Sequence, residues 1–114
     1  MKKRHYMCTH TWESEEARVT SMSNSENLTD RQFFESFRTP KVECIQHWMG
    51  ENEFFFCHWI AESEDAIFEA LEANGMNNVI LTLPYETPRY VSVASISDEL
   101  LKNPWKANVK MKSR

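Results

Sequence analysis

The stretch Phe54-Phe55-Phe56-Cys57-His58-Trp59-Ile60-Ala61 limits the fold more than any other part of the chain. It is dense in aromatic and strand-forming side chains, and nothing in it turns or breaks. A run this apolar reads as a central β-strand covered on both faces. Alternation sends Phe54, Phe56, His58 and Ile60 to one side, and Phe55, Cys57, Trp59 and Ala61 to the other. One set can pack on helices. The other needs a second cover, and what that cover is becomes the functional question.

A chain of 114 residues is one domain, 1–114, large enough to build a core without staples. The net charge of -4 gives no electrostatic reason to bind nucleic acid, and two glycines leave no room for a Gly-rich phosphate loop. No apolar run reaches membrane-spanning length, and the basic start has no hydrophobic signal core behind it. The expectation is a cytoplasmic protein with no nucleic-acid or membrane partner. Cys8, Cys44 and Cys57 lie inside expected strands without CxxC spacing, the pattern of reduced, buried thiols rather than of a disulfide framework.

Arg4 to Trp12 reads as a first strand, with Tyr6, Cys8, His10 and Trp12 on one face. Glu13 to Asn27 is polar and serine-rich and reads as a long excursion, helical only weakly over 15–19. Thr29 and Gln32 form a capping box that starts a helix whose apolar face is Phe33, Phe34 and Phe37, and Thr39-Pro40 stops it. Val42 to Met49 is a second strand, turned by Gly50-Glu51-Asn52 into the apolar third. A tight Glu51-Asn52 loop would set Met49 opposite Phe54, His47 opposite Phe56 and Ile45 opposite His58. Ser63 caps a helix over 64–73 with Ile67, Phe68 and Leu71 inward, and Asn74-Gly75 closes it. Val79 to Leu83 is a fourth strand that Pro84 ends or marks as an edge. An extended piece over 90–93 belongs to a core spanning about 4–93. Beyond it lie a short helix over 98–102 capped by Ser97 and a basic tail, together 97–114.

Strand, helix, strand, strand, helix, strand is the split β-α-β order of a ferredoxin-like α+β sandwich. Both helices lie on one face of a four-stranded antiparallel sheet ordered 4-1-3-2. The other face, rich in phenylalanine and histidine, is too apolar for a monomer to leave in water. Sheet-to-sheet homodimerisation around a barrel-like interior is the simplest cover. Three segments carry a family likeness: His5-Tyr6-Met7-Cys8-Thr9-His10-Thr11, Phe56-Cys57-His58-Trp59-Ile60-Ala61 and Glu72-Ala73-Asn74-Gly75-Met76. On these, over residues 4–90, the chain resembles the dimeric α+β barrel superfamily, and within it the small bacterial nickel-binding-protein-like domains. The resemblance implies the fold and the dimer. Such domains tend to carry a glutamate where this chain has Ile60 and a histidine where it has Asn74, so two acid-base or metal-binding groups are missing.

The expected ligand-binding set is Tyr6, Cys8, His10, Ile45, His47, Met49, Phe54, Phe56, His58 and Ile60. These would line an apolar cavity with a few polar contacts, suited to a fatty-acid-like molecule. A filled aromatic dimer core without a ligand is the structural alternative. His10 or His58 could act as the base of a cofactor-independent oxygenase of the α+β barrel kind. Cys8, His10 and His58, with His47 near, form an alternative transition-metal set. Cys57 and His58 are neighbours on a strand and point apart, so they cannot be a nucleophile–base pair, whereas Cys8 with His58 across strands could. No cofactor is expected. An RNA-stacking sheet is excluded by the acidic charge and the missing basic, glycine-containing motif.

Overall fold

A computed structural model describes residues 2–51 and 53–104. In chain order the elements are β1 (Arg4–Trp12), α1 (Glu15–Ser25), α2 (Asp30–Ser36), β2 (Val42–Met49), β3 (Phe54–Ala61), α3 (Glu64–Ala73) and β4 (Ile80–Glu86), followed by a 3-10 turn at Val93–Ser95. The sheet is four-stranded and antiparallel, in the order β2-β3-β1-β4. With its helices this is an α+β architecture compatible with a ferredoxin-like fold, and the strand order is the expected one.

The helices begin where local chemistry dictates. The Thr29 hydroxyl accepts from the Gln32 backbone N–H while the Gln32 side chain accepts from Thr29 N–H, so the capping box is complete. Ser63 caps α3 by accepting from Ala66 N–H, and Glu64 and Asp65 sit in the first turn, where the helix dipole favours acids. Gly75, at φ +72°, supplies the left-handed residue after α3. Ser14 caps α1 in the same way, accepting from Ala17 N–H. The serine-rich excursion is thus a helix over most of its length, because a good cap and two acids in the first turn offset its low apolar content.

The core lies between the sheet and the helices. Tyr6, Cys8, Cys44, Cys57 and Trp59 are buried against Ile67 and Leu71 of α3. Just after α2, the Phe37 ring meets Trp59 edge-on at 5.7 Å. All three cysteines are free and buried.

Two registers differ from expectation. Between β2 and β3, Met49 pairs with Phe55, Trp48 with Phe56, His47 with Cys57 and Gln46 with His58. The ladder then shifts so that Cys44 pairs with Trp59, and Ile45 is the extra residue of a bulge. The connection starting at Gly50 is longer than a tight hairpin loop, which moves the register by one residue and exchanges the faces of the partners. Asn52, half of the expected loop, lies outside the described residues. Between β1 and β3, Tyr6 pairs with Trp59, Cys8 with Cys57 and His10 with Phe55. Opposed residues share a face, so Tyr6, Cys8 and His10 belong to the helix side, not to the open face.

Other boundaries also move. β4 runs to Glu86 with Pro84 inside it, tolerated because β4 is an edge strand. Residues 90–92 form no strand. The expected helix over 98–102 is absent: the Ser97 hydroxyl accepts from Glu99 N–H in a turn, and Ser92 caps the 3-10 turn at Val93–Ser95 instead. The basic tail after Pro104 lies outside the described residues. No helix among the described residues is long and apolar enough to cross a membrane.

Candidate functional site

On the helix-free face, neighbouring strands bring three polar side chains into one chain of contacts. His58 of β3 stands opposite Gln46 of β2 and Met7 of β1, while His5 of β1 stands opposite Ile60. His5 and His58 are therefore diagonal neighbours on the same face, within reach of each other. Their Nδ1 and Nε2 atoms are 2.8 Å apart, and His58 Nδ1 lies 3.1 Å from Gln46 Oε1.

These contacts order the protons. An amide oxygen only accepts, so His58 Nδ1–H donates to Gln46 Oε1. The neutral His58 ring then has its lone pair at Nε2, which accepts from His5 Nδ1–H. That leaves the His5 Nε2 lone pair as the basic end of the relay. Turning the Gln46 amide over would reverse the polarity of every bond in it. Burial, and then the neighbouring His5, lowers the His58 pKa, so its neutral ring is the favoured form.

The chain after β4 closes over the pair. Thr87 donates to the His5 carbonyl through both its N–H, at 2.9 Å, and its hydroxyl, at 3.2 Å. Tyr90 then stacks on His5 at 4.7 Å and leans on His58 at 4.6 Å. His58 is buried as a result, with 2% of its surface exposed. Beside it a shallow cleft of about 390 Å³ is lined by Met7, Gln46, Trp48, His58, Arg89 and Tyr90. Around this cleft the face is apolar and exposed. Phe54 and Phe56 continue along β3, Trp48 lies on β2, and Leu81, Leu83 and Tyr85 lie on β4.

The sequence-expected residues divide between the two sides of the sheet. Phe54, Phe56, His58 and Ile60 do share the helix-free face. Tyr6, Cys8, His10, His47 and Met49 do not: each stands opposite a helix-side residue of β3. Ile45 occupies the bulge. Cys8 and His10 therefore cannot join His58 around one metal ion, because the sheet lies between them. Cys8 cannot pair with His58 as nucleophile and base for the same reason. Among the described residues no group of three or more His, Cys, Asp or Glu could hold a metal ion.

The helix-side polar groups are also poorly suited to chemistry. Burial pushes the Cys8 thiol up to about 12, and Cys57 is raised by its contact with Cys44 and by burial, so both stay protonated. Cys57 Sγ sits 3.4 Å from His47 Nδ1. His10 stacks on Phe55 at 4.7 Å, and its Nδ1 meets Thr82 Oγ1 at 2.9 Å. Of the two expected bases, His10 is shut in the core and His58 stands in the relay.

Sequence reasoning missed His5, Met7, Gln46, Trp48, Arg89 and Tyr90. His5 and Met7 follow from the parity of β1 once Tyr6, Cys8 and Trp12 are recognised as its helix-facing set. Gln46 and Trp48 follow only from the bulge. Tyr90 had no local signal, since it belongs to irregular chain.

No family model, no curated protein and no solved structure matches this chain.

Proposed function

We propose that the helix-free face joins a second copy of the chain and binds a small amphipathic molecule there, apolar along its length and anionic at one end. The observation that carries this reading is the His5–His58–Gln46 relay set at one end of an exposed aromatic face. Tyr85 at 71% and Leu83 at 72% exposure are costly to leave in water, and a contiguous apolar patch of this kind marks an interaction surface. An apolar lining with a few convergent polar atoms is the usual composition of a small-molecule site. Trp48, Phe54 and Phe56 would take a hydrocarbon tail. Arg89, on the wall of the cleft beside His58, would take a carboxylate. Ile60 stands close to His5 and keeps that stretch apolar. In this reading the protein is a ferredoxin-like dimeric α+β barrel that carries or senses a fatty-acid-like ligand.

A thermal-shift panel of medium-chain fatty and oxo-fatty acids tests the reading. A ligand present at roughly a hundred times its Kd stabilises the folded state by about 2.7 kcal/mol, enough to raise Tm by several degrees. Arg89→Ala should reduce that rise while leaving the unliganded Tm nearly unchanged, because Arg89 is exposed and, among the described residues, its side chain donates to the exposed Lys102 carbonyl. A flat panel would contradict the ligand, and an equal rise in Arg89→Ala would contradict the placement of its anionic end.

A further inference from the structure

A second cleft lies on the other side of the sheet, beneath α1. None of α1's residues, all of them described, is buried, and an open cleft of about 430 Å³ lies between its C-terminal half, the start of α2 and the sheet. Protein interiors are normally filled to the density of organic crystals. An open cleft of this volume falls in the range that accepts small ligands.

Its walls specify what fits. Trp12, Phe33 and Phe55 contribute rings, and Met22, Met49 and Met76 contribute thioethers. Rings pack well edge-on or offset against rings, and methionine adapts to a ring edge. His47 gives the wall a hydrogen-bonding group, held between Phe33 at 4.9 Å and Phe55 at 5.8 Å. Asp30 is the charged side chain of the lining, and no lysine or arginine among the described residues joins it. A carboxylate or phosphate would therefore meet only a like charge.

We propose that this cleft is a separate binding site for a neutral aromatic molecule, indole-like in its chemistry, stacked among Trp12, Phe33 and Phe55 and hydrogen-bonded to His47. It differs from the helix-free face in location and in charge preference, and it does not depend on the pairing of two copies.

Titration of the full chain with indole, followed by amide chemical shifts, tests the proposal. Indole-3-acetate serves as the anionic counterpart. The expected result is saturable shifts confined to α1, α2, the end of β1 at Trp12, the helix-side residues of β2 and β3 and the segment around Met76, with indole-3-acetate binding at least tenfold more weakly. Ser25→Trp places a ring into the cleft from the exposed last turn of α1 and should abolish indole binding, whereas Ser25→Ala should retain it. Intermolecular nuclear Overhauser effects from indole to the Met22, Met49 and Met76 methyl groups locate the ligand without any substitution. Absence of saturable shifts, equal affinity for the anion, or contacts to other methionines instead would each overturn the proposal.

Discussion

Acidification from about pH 7 to about pH 4.5 should remove roughly 2 to 3 kcal/mol of folding stability through His10 alone. His10 is 1% exposed, its Nε2 has no hydrogen-bond partner among the described residues, and its pKa is lowered to about 4, by burial first and by His47 second. An unfolded chain takes up this proton near pH 6.5. Between these two values the unfolded state binds more protons than the folded one, so stability falls as the pH falls. The contribution is complete above about pH 6.5, and its loss levels off below about pH 4. His47 and His58 are also lowered, mainly by burial, and act in the same direction. Urea denaturation of wild type and His10→Phe at both pH values separates the terms. Phenylalanine keeps a ring against Phe55 but carries no proton, so the variant should lose distinctly less stability on acidification. Identical losses in the two proteins would show that His10 does not titrate as its burial requires.

Phe56→Asp should weaken self-association by more than a hundredfold. Phe56 is 39% exposed and sits between Phe54 and His58 on the helix-free face. A symmetric pairing of two such faces buries the same position twice. Placing an unpaired carboxylate in a desolvated seam costs on the order of 3 kcal/mol or more, and each 1.4 kcal/mol is tenfold in the dissociation constant. The isolated chain leaves this position partly in water, so the fold itself should survive. Sedimentation velocity at matched concentrations reads the difference. Equal sedimentation coefficients for wild type and Phe56→Asp would place the interface elsewhere or remove it.

Local chemistry was legible in the sequence and long-range register was not. Ser63, the acids after it and Gly75 bound α3 where they were expected to, because caps act within a few residues. The Thr29–Gln32 box did the same for α2. Ser97 shows the limit: its hydroxyl accepts from a backbone N–H two residues on, as in a serine turn, and no helix follows. Strand order came from the order of elements.

The faces did not. β3 is apolar on both sides, so nothing in its own alternation tells which side meets the helices. The decision rests on β1, where Tyr6, Cys8 and His10 pair with Trp59, Cys57 and Phe55. The bulge at Ile45 then exchanges Gln46 and Trp48 with His47 and Met49, and a bulge depends on the partner strand rather than on its own sequence. As a result His58 was the one polar member of the expected set to reach the helix-free face. Its partners His5, Gln46 and Tyr90 became visible only in three dimensions.

Native mass spectrometry of the purified protein tests the central claim most directly, because it reads self-association and small-molecule retention in one spectrum. A face that carries Trp48, Phe54, Phe56, Leu83 and Tyr85 in water beside a histidine relay predicts a species of twice the chain mass, with an added organic mass that collisional activation releases as an anion. In Phe56→Asp both the doubled mass and the adduct should be lost together. A wild-type spectrum containing only the single chain at micromolar concentration, free of any adduct, would contradict the account.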